Sequence, residues 1–151
     1  MTNKKNILIL ILIFLTSCGY KPIYSTSNSA VSINNIEFIK ESKLNNKFKR
    51  QINVYKRSET DKSYDLEIKI DQTKTISLKD SKGEPKIFLK EIIISINVIK
   101  NGKIIISQDF VEIFSYNNNT NKFDLSRYER NIEDNMVNEL IEKIIIYLQT
   151  L

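Results

Sequence analysis

The sequence predicts an α+β domain in which two helices pack on one face of a mixed four-stranded sheet, in the order strand-helix-strand-strand-strand-helix. Three observations carry the prediction. Tyr64, Leu66, Ile68, Ile70, Ile76 and Leu78 fall on even positions while Asp65, Glu67, Lys69, Asp71, Thr73, Thr75 and Ser77 fill the odd ones, the alternation of a long strand with one buried and one wet face. Asn101-Gly102 stands between two apolar runs, a strong hairpin signal that favours a type I′ turn. Ile132, Met136, Val137, Leu140, Ile141, Ile144 and Leu148 recur every three or four residues, a wide helical stripe that needs a sheet to cover it.

The elements follow in order. Val31, Ile33, Ile36 and Phe38 make a short, imperfectly alternating first strand. From Ser42 the period changes: Leu44, Phe48, Ile52 and Tyr55 recur at helical spacing with Lys and Asn between them, an amphipathic helix with Ser42 as its cap. In the long strand, Gln72 and Lys74 interrupt the apolar row, which predicts a bulge or a tip projecting beyond the core. The run KDSKGEP turns the chain at Gly83 and Pro85. Phe88, Ile92, Ile94, Ile96 and Val98 then share one face of the next strand. After Asn101-Gly102 the last strand shows its apolar face switching near Gln108-Asp109, which a regular strand cannot do without a bulge or twist. Ser126 and Glu129 read as a capping box opening the final helix. Consecutive strands with segregated helices argue for this α+β layering. The first two strands, joined through a helix, pair parallel, and the rest form an antiparallel meander.

Ile93, Ile99, Ile105 and Ile113 have no place in a one-sided core. Two readings fit them: an isoleucine-rich sequence or a helix covering the second face, or else a face that docks onto another protein or a lipid.

Upstream, the chain opens with Lys4 and Lys5, followed by an apolar run from Ile7 to Leu15. That run is shorter than the about 20 residues a spanning helix needs and fits a secretory signal peptide. Leu15-Thr16-Ser17-Cys18 follows, and Cys18 is the sole cysteine, so no disulfide forms within the chain. The string resembles the lipobox of bacterial lipoproteins. That resemblance implies a diacylglycerol thioether on Cys18, cleavage before it and acylation of the new amino end. Three acyl chains at one residue exceed the two signals that stable anchoring requires. The expected organisation is a signal peptide over 1–17, a polar tether over 18–30 and a single domain over 31–151. Removing 17 of the 151 residues leaves 134, enough for one core.

The formal charge of +5 loses two units with Lys4 and Lys5. An exported chain with a mild cationic excess has no nucleic-acid partner, whereas a membrane surface or anionic lipid fits it. With nineteen Lys against four Arg and heavy use of Ile and Asn, single lysines read as solvated. No catalysis is expected: the chain lacks histidine, the usual general base and metal ligand. Phosphate loops, nucleophile elbows and metal-ligand spacings are missing too. Glu129, Glu133 and Asp134 read as a solvated helix face, and no metal or cofactor is expected.

The heptapeptide Cys18-Gly19-Tyr20-Lys21-Pro22-Ile23-Tyr24 resembles the mature start of the LPS-assembly lipoprotein family (LptE), Cys-Gly-Phe/Tyr-x-Pro-Leu-Tyr, with Ile23 for leucine. The element order agrees with that family's domain. The resemblance implies a lipoprotein anchored in the outer membrane and facing the periplasm. Its partners would be lipopolysaccharide and the β-barrel LptD, whose lumen it would plug. Gly19 after the cysteine fits outer-membrane delivery. Lipid A phosphates could be met by Lys79, Lys82 and Lys86 at the Gly83 turn or by Lys100 and Lys103 at the Asn-Gly turn. These turns lie at opposite ends of the meander, so one set at most serves. The alternative is an independent lipid-binding or structural envelope lipoprotein with no barrel partner.

Overall fold

The computed structural model describes residues 32–55 and 63–151. The expected signal peptide, tether and Cys18 lie outside the described residues, as does Val31. The elements are β1 (Ser32–Phe38), α1 (Asn45–Ile52) running into a 3₁₀ turn (Asn53–Tyr55), β2 (Ser63–Lys79), β3 (Pro85–Lys100), β4 (Lys103–Asn117) and α2 (Lys122–Gln149). The sheet order is β1-β2-β3-β4. β1 pairs parallel to β2, and the other two pairings are antiparallel. The expected α+β architecture is therefore present, with both helices contributing to one core.

Alternation selects the face. Tyr64, Leu66, Ile68 and Ile70 of β2 and Ile92, Ile94, Ile96 and Val98 of β3 are buried under the helices. The α1 stripe of Leu44, Phe48 and Ile52 is fully covered, each side chain worth about 1.5–3 kcal/mol. Phe38 meets Phe48 edge-on at 6.2 Å between ring centroids. On α2 the stripe from Ile132 to Leu148 is buried as expected, joined by Leu125 and Ile145.

Local irregularities explain where the sequence pattern was imperfect. A register shift between Ile33 and Asn35 in β1 moves the apolar set from odd to even positions, so Ile33 and Ile36 both reach the core side. In β2 the ladder is unbroken through Gln72 and Lys74, and residues from Gln72 onward are exposed. The interruption is thus a projecting tip, not a bulge. The bulge lies further on: Ile76 pairs with Phe88 but Leu78 with Ile87. That one-residue slip turns Leu78 to the opposite face from Ile76. In β4 no face switch occurs at Gln108-Asp109, because the register runs unbroken from Ile106 to Asn117. The shift falls at Ile105, next to the turn, and the mixed pattern arises because this edge strand carries apolar residues on both faces.

The turns behave as their residues demand. Asn101 and Gly102 both have positive φ, 53° and 73°, as a type I′ turn requires. The Gly83 turn, with φ of 82° at the glycine, is held by the Asp80 carboxylate, which accepts from the amides of Lys82 and Glu84, both at 2.9 Å. Two caps differ from expectation. α2 begins at Lys122, and Asn121 Oδ1 accepts from the amides of Phe123 and Asp124, so Ser126 lies inside the helix. Ser42 accepts from Leu44 N at 3.3 Å and organises the turn ahead of α1 instead of capping it.

Candidate interaction surface

The register divides the sheet into two faces. The helix-covered face holds a polar seam that sequence reasoning missed. Lys90 sits at an even position of β3, is only 5% exposed and donates to Glu133 of α2. Lys47 of α1 lies 3.6 Å from the same carboxylate and 2.9 Å from Asp134. One turn earlier, Glu129 accepts from Lys74 at 2.5 Å and from the Tyr116 hydroxyl at 2.8 Å. Lys74 Nζ in turn stands 4.1 Å above the Phe88 ring. Burial opposes ionisation of Glu129, but the bonds from Lys74 and Tyr116 outweigh it and hold the carboxyl below its ordinary value. Burial first, and then the bond to Glu129, push the Tyr116 hydroxyl well above its usual range. Glu129 and Glu133 are therefore not a solvated face, whereas Asp134, with its side chain 48% exposed, stays in contact with water as expected. All three pin α2 to β2, β3 and α1. The signal was the alternation itself, which places Lys74 and Lys90 on the covered side.

The opposite face carries no described element. Its β3 row runs Ile87, Leu89, Glu91, Ile93, Ser95, Asn97 and Ile99, flanked by Asp71, Lys69 and Glu67 of β2 and by Ile113, Val111, Asp109 and Ser107 of β4. Three zones result. Toward the Gly83 turn the surface is largely apolar, with Leu78, Val111 and Ile113 exposed around Ile87, Leu89 and Ile93, and Glu91 set among them with its partner Thr73 at 3.4 Å. A polar band crosses the middle, where Asn97 bonds to Glu67 at 3.1 Å and Ser107 to Asn97 at 2.7 Å. Asn97 and Ser107, with Ser95 and Asp109, border a shallow cleft of about 270 Å³. Lys69 pairs with Asp71 at 2.7 Å, and that hydrogen bond raises the Lys69 pKa, while bonds from Lys40 and Lys69 lower that of Asp71. Near the Asn101-Gly102 turn, Ile99 faces Ile104. Ile93, Ile99 and Ile113 thus share this face, and none of the described helices covers them.

The two lysine sets lie at opposite ends of the meander, as expected. The 16 residues of β3 separate the turns, roughly 50 Å at strand rise. Lys79, Lys82 and Lys86 are exposed around the Gly83 turn, and Lys100 and Lys103 face each other at the other end. Among the described residues none of the five forms an ion pair, and Lys100 stands 5.7 Å from the Tyr64 ring.

No protein-family model and no curated protein matches the chain. Solved structures do. Rare lipoprotein B from Shewanella oneidensis superposes with a TM-score of 0.59 at 10% identity, covering 78% of this chain and 95% of that one. The fold is that of rare lipoprotein B, an LptE-type lipoprotein. Lipoprotein B from Nitrosomonas europaea shares this rare lipoprotein B fold at a TM-score of 0.58 and 10% identity, over 79% of this chain and 84% of that one. A minor lipoprotein from Acinetobacter baumannii does so at 0.56 and 14%, over 79% and 91%. At such identities the rare lipoprotein B likeness is one of architecture.

Proposed function

We propose that this protein is an outer-membrane lipoprotein, anchored through lipid on Cys18 and facing the periplasm, that assists assembly of the lipopolysaccharide-transport barrel LptD. In this reading it plugs the barrel, contacts lipopolysaccharide on its way to the outer leaflet and turns nothing over. The observation that carries the reading is the conjunction of Cys18-Gly19-Tyr20-Lys21-Pro22-Ile23-Tyr24 with a rare lipoprotein B fold. The naked sheet face adds support. Its apolar zone near the Gly83 turn suits a barrel wall or acyl chains, and Lys79, Lys82 and Lys86 beside it suit the phosphates of lipid A. Of the two lysine sets, the one adjoining the larger apolar zone is preferred.

Purification from native membranes tests the proposal. A stoichiometric, detergent-stable complex with a large outer-membrane barrel is expected, and depletion of the protein is expected to stall barrel assembly. A monomer carrying bound lipid would instead support an independent lipid-binding lipoprotein. Neutralising Lys79, Lys82 and Lys86 without loss of lipopolysaccharide binding would remove these lysines from the mechanism.

A further inference from the structure

We infer that the Asn101-Gly102 end of the sheet is a second membrane contact, docking on the anionic phospholipid leaflet that holds Cys18. The inference rests on the anchoring proposed above and extends it to the folded domain. It begins with where the chain arrives. Ser32, the first residue of β1, pairs with Ser63 of β2, and Asp65 pairs with Ile99 of β3. Ser63 is therefore level with Asn101, and Ser32 lies two strand spacings from the turn, about 10 Å. The Gly83 turn lies beyond the other end of β2, roughly 54 Å away at strand rise. Fourteen residues separate Cys18 from Ser32, so no path carries the cysteine farther than about 50 Å from Ser32. The tether thus enters the domain at the Asn101-Gly102 end of the sheet.

The turn is built as an amphipathic wedge. Lys100 and Lys103 are direct cross-strand partners, an arrangement of like charges that weakens a hairpin. Neither has a carboxylate partner among the described residues, and Asp65 stands across from Ile99, one residue further in. Ile104 is 56% exposed and Ile105, the bulged residue, is 46% exposed. Lys100 stands 5.7 Å from the Tyr64 ring on the helix side of the sheet and Ile104 lies on the opposite side with Ile99, so the hairpin tip carries two facing cations and two exposed isoleucines. They match a headgroup layer, where ammonium groups meet lipid phosphates and apolar side chains reach the acyl boundary.

The test uses the full lipidated chain in vesicles of phosphatidylethanolamine and phosphatidylglycerol. Lipid caps Cys18, so Ile104→Cys offers one thiol for an environment-sensitive fluorophore, and Lys82→Cys supplies the comparison at the far turn. Brominated acyl chains are expected to quench the label at 104 and leave the label at 82 unchanged. Replacing Lys100 and Lys103 by Gln in the Ile104→Cys chain is expected to shift docking on the order of 30-fold toward the free state. A chain that floats with the vesicles but shows no quenching at 104 overturns the inference while leaving the anchor intact. Shielding of 104 only when barrel protein is added overturns it in favour of a protein contact. A chain that fails to float and carries an unmodified Cys18 overturns the anchoring reading, and this one with it.

Discussion

Lys90 and Glu133 should behave as a unit whose disruption depends strongly on which partner is removed. The Lys90 side chain is 7% exposed and that of Glu133 22%. Glu133→Leu leaves an ammonium under α2 with no carboxylate in contact, and an uncompensated buried charge of this kind costs about 3–5 kcal/mol. Lys90→Met keeps most of the apolar stem. It leaves Glu133 with Lys47 at 3.6 Å and partial access to water, so the cost is about 1 kcal/mol. The double variant removes both charges and fills the space with apolar atoms, a change that is often nearly neutral. The expected coupling is therefore about 4–6 kcal/mol.

Urea and thermal denaturation of the four chains, followed by circular dichroism, measure this cycle. Glu133→Leu is expected to lower the melting temperature by about 12–20 °C, taking about 4 °C per kcal/mol for a domain of this size. The double variant should recover most of that loss. Additive single effects, with a coupling below about 0.5 kcal/mol, would refute the claim that this pair locks α2 onto the sheet.

Three further outcomes follow from the same geometry. Glu129 titrates below its ordinary 4.5 in the folded chain, so its contribution is present above that value and is lost as pH falls through the folded one. Tyr116 titrates above its ordinary 10.0, so stability should decline as pH rises beyond 10, and Tyr116→Phe should flatten that alkaline slope in urea midpoints measured against pH, leaving the share of Tyr55, which burial also raises. Asn121→Ala should cost about 1 kcal/mol as the loss of a cap, whereas Ser126→Ala should stay within about 0.5 kcal/mol. Val111→Asp with Ile113→Asp should leave the urea midpoint within about 1 kcal/mol of the parent, since both side chains are exposed, yet abolish co-purification with a barrel.

Element type and order were legible because each rests on a local period or on a turn with one chemical solution. Tyr64 to Ile70 alternate cleanly, and Asn101-Gly102 admits little besides a type I′ hairpin. Boundaries and registers were not legible to the same degree. Asn121 and Ser126 are both competent caps, and the choice is made by where β4 ends and the helix meets the sheet. The bulges after Ile33, after Ile76 and at Ile105 follow from ladder pairing between distant strands, and no single segment encodes that. Leu78 accordingly reads as core in a strict alternation and stands outside it in the sheet. The lysine turns were placed at the correct ends because they depend only on strand direction. The seam of Lys74, Lys90, Glu129 and Glu133 joins residues up to 55 positions apart, so only the buried side of the alternation hinted at it.

The naked face sets what kind of partner can hold this domain. Near the Gly83 turn, Leu78, Val111 and Ile113 are 46%, 44% and 52% exposed. With the half-buried Ile87, Leu89 and Ile93 they present on the order of 300 Å², comparable to the largest apolar patch on ordinary monomers. Covering all of it yields roughly 8 kcal/mol at about 25 cal/mol per Å², while association alone costs about 4–15 kcal/mol. A flat partner, including a second copy laid face to face, gains little over that cost. A concave partner gains more, because it also meets the exposed edge of β4 and the β2 tip from Gln72 to Lys79, whose backbone groups and lysines lie beyond the patch. The lipid proposed at Cys18 would lower the cost further by confining the domain to the surface where such a partner sits. The same two features that look wasteful in a free monomer, an uncovered sheet face and a long bare edge, are therefore the ones that favour an enclosing partner over self-association.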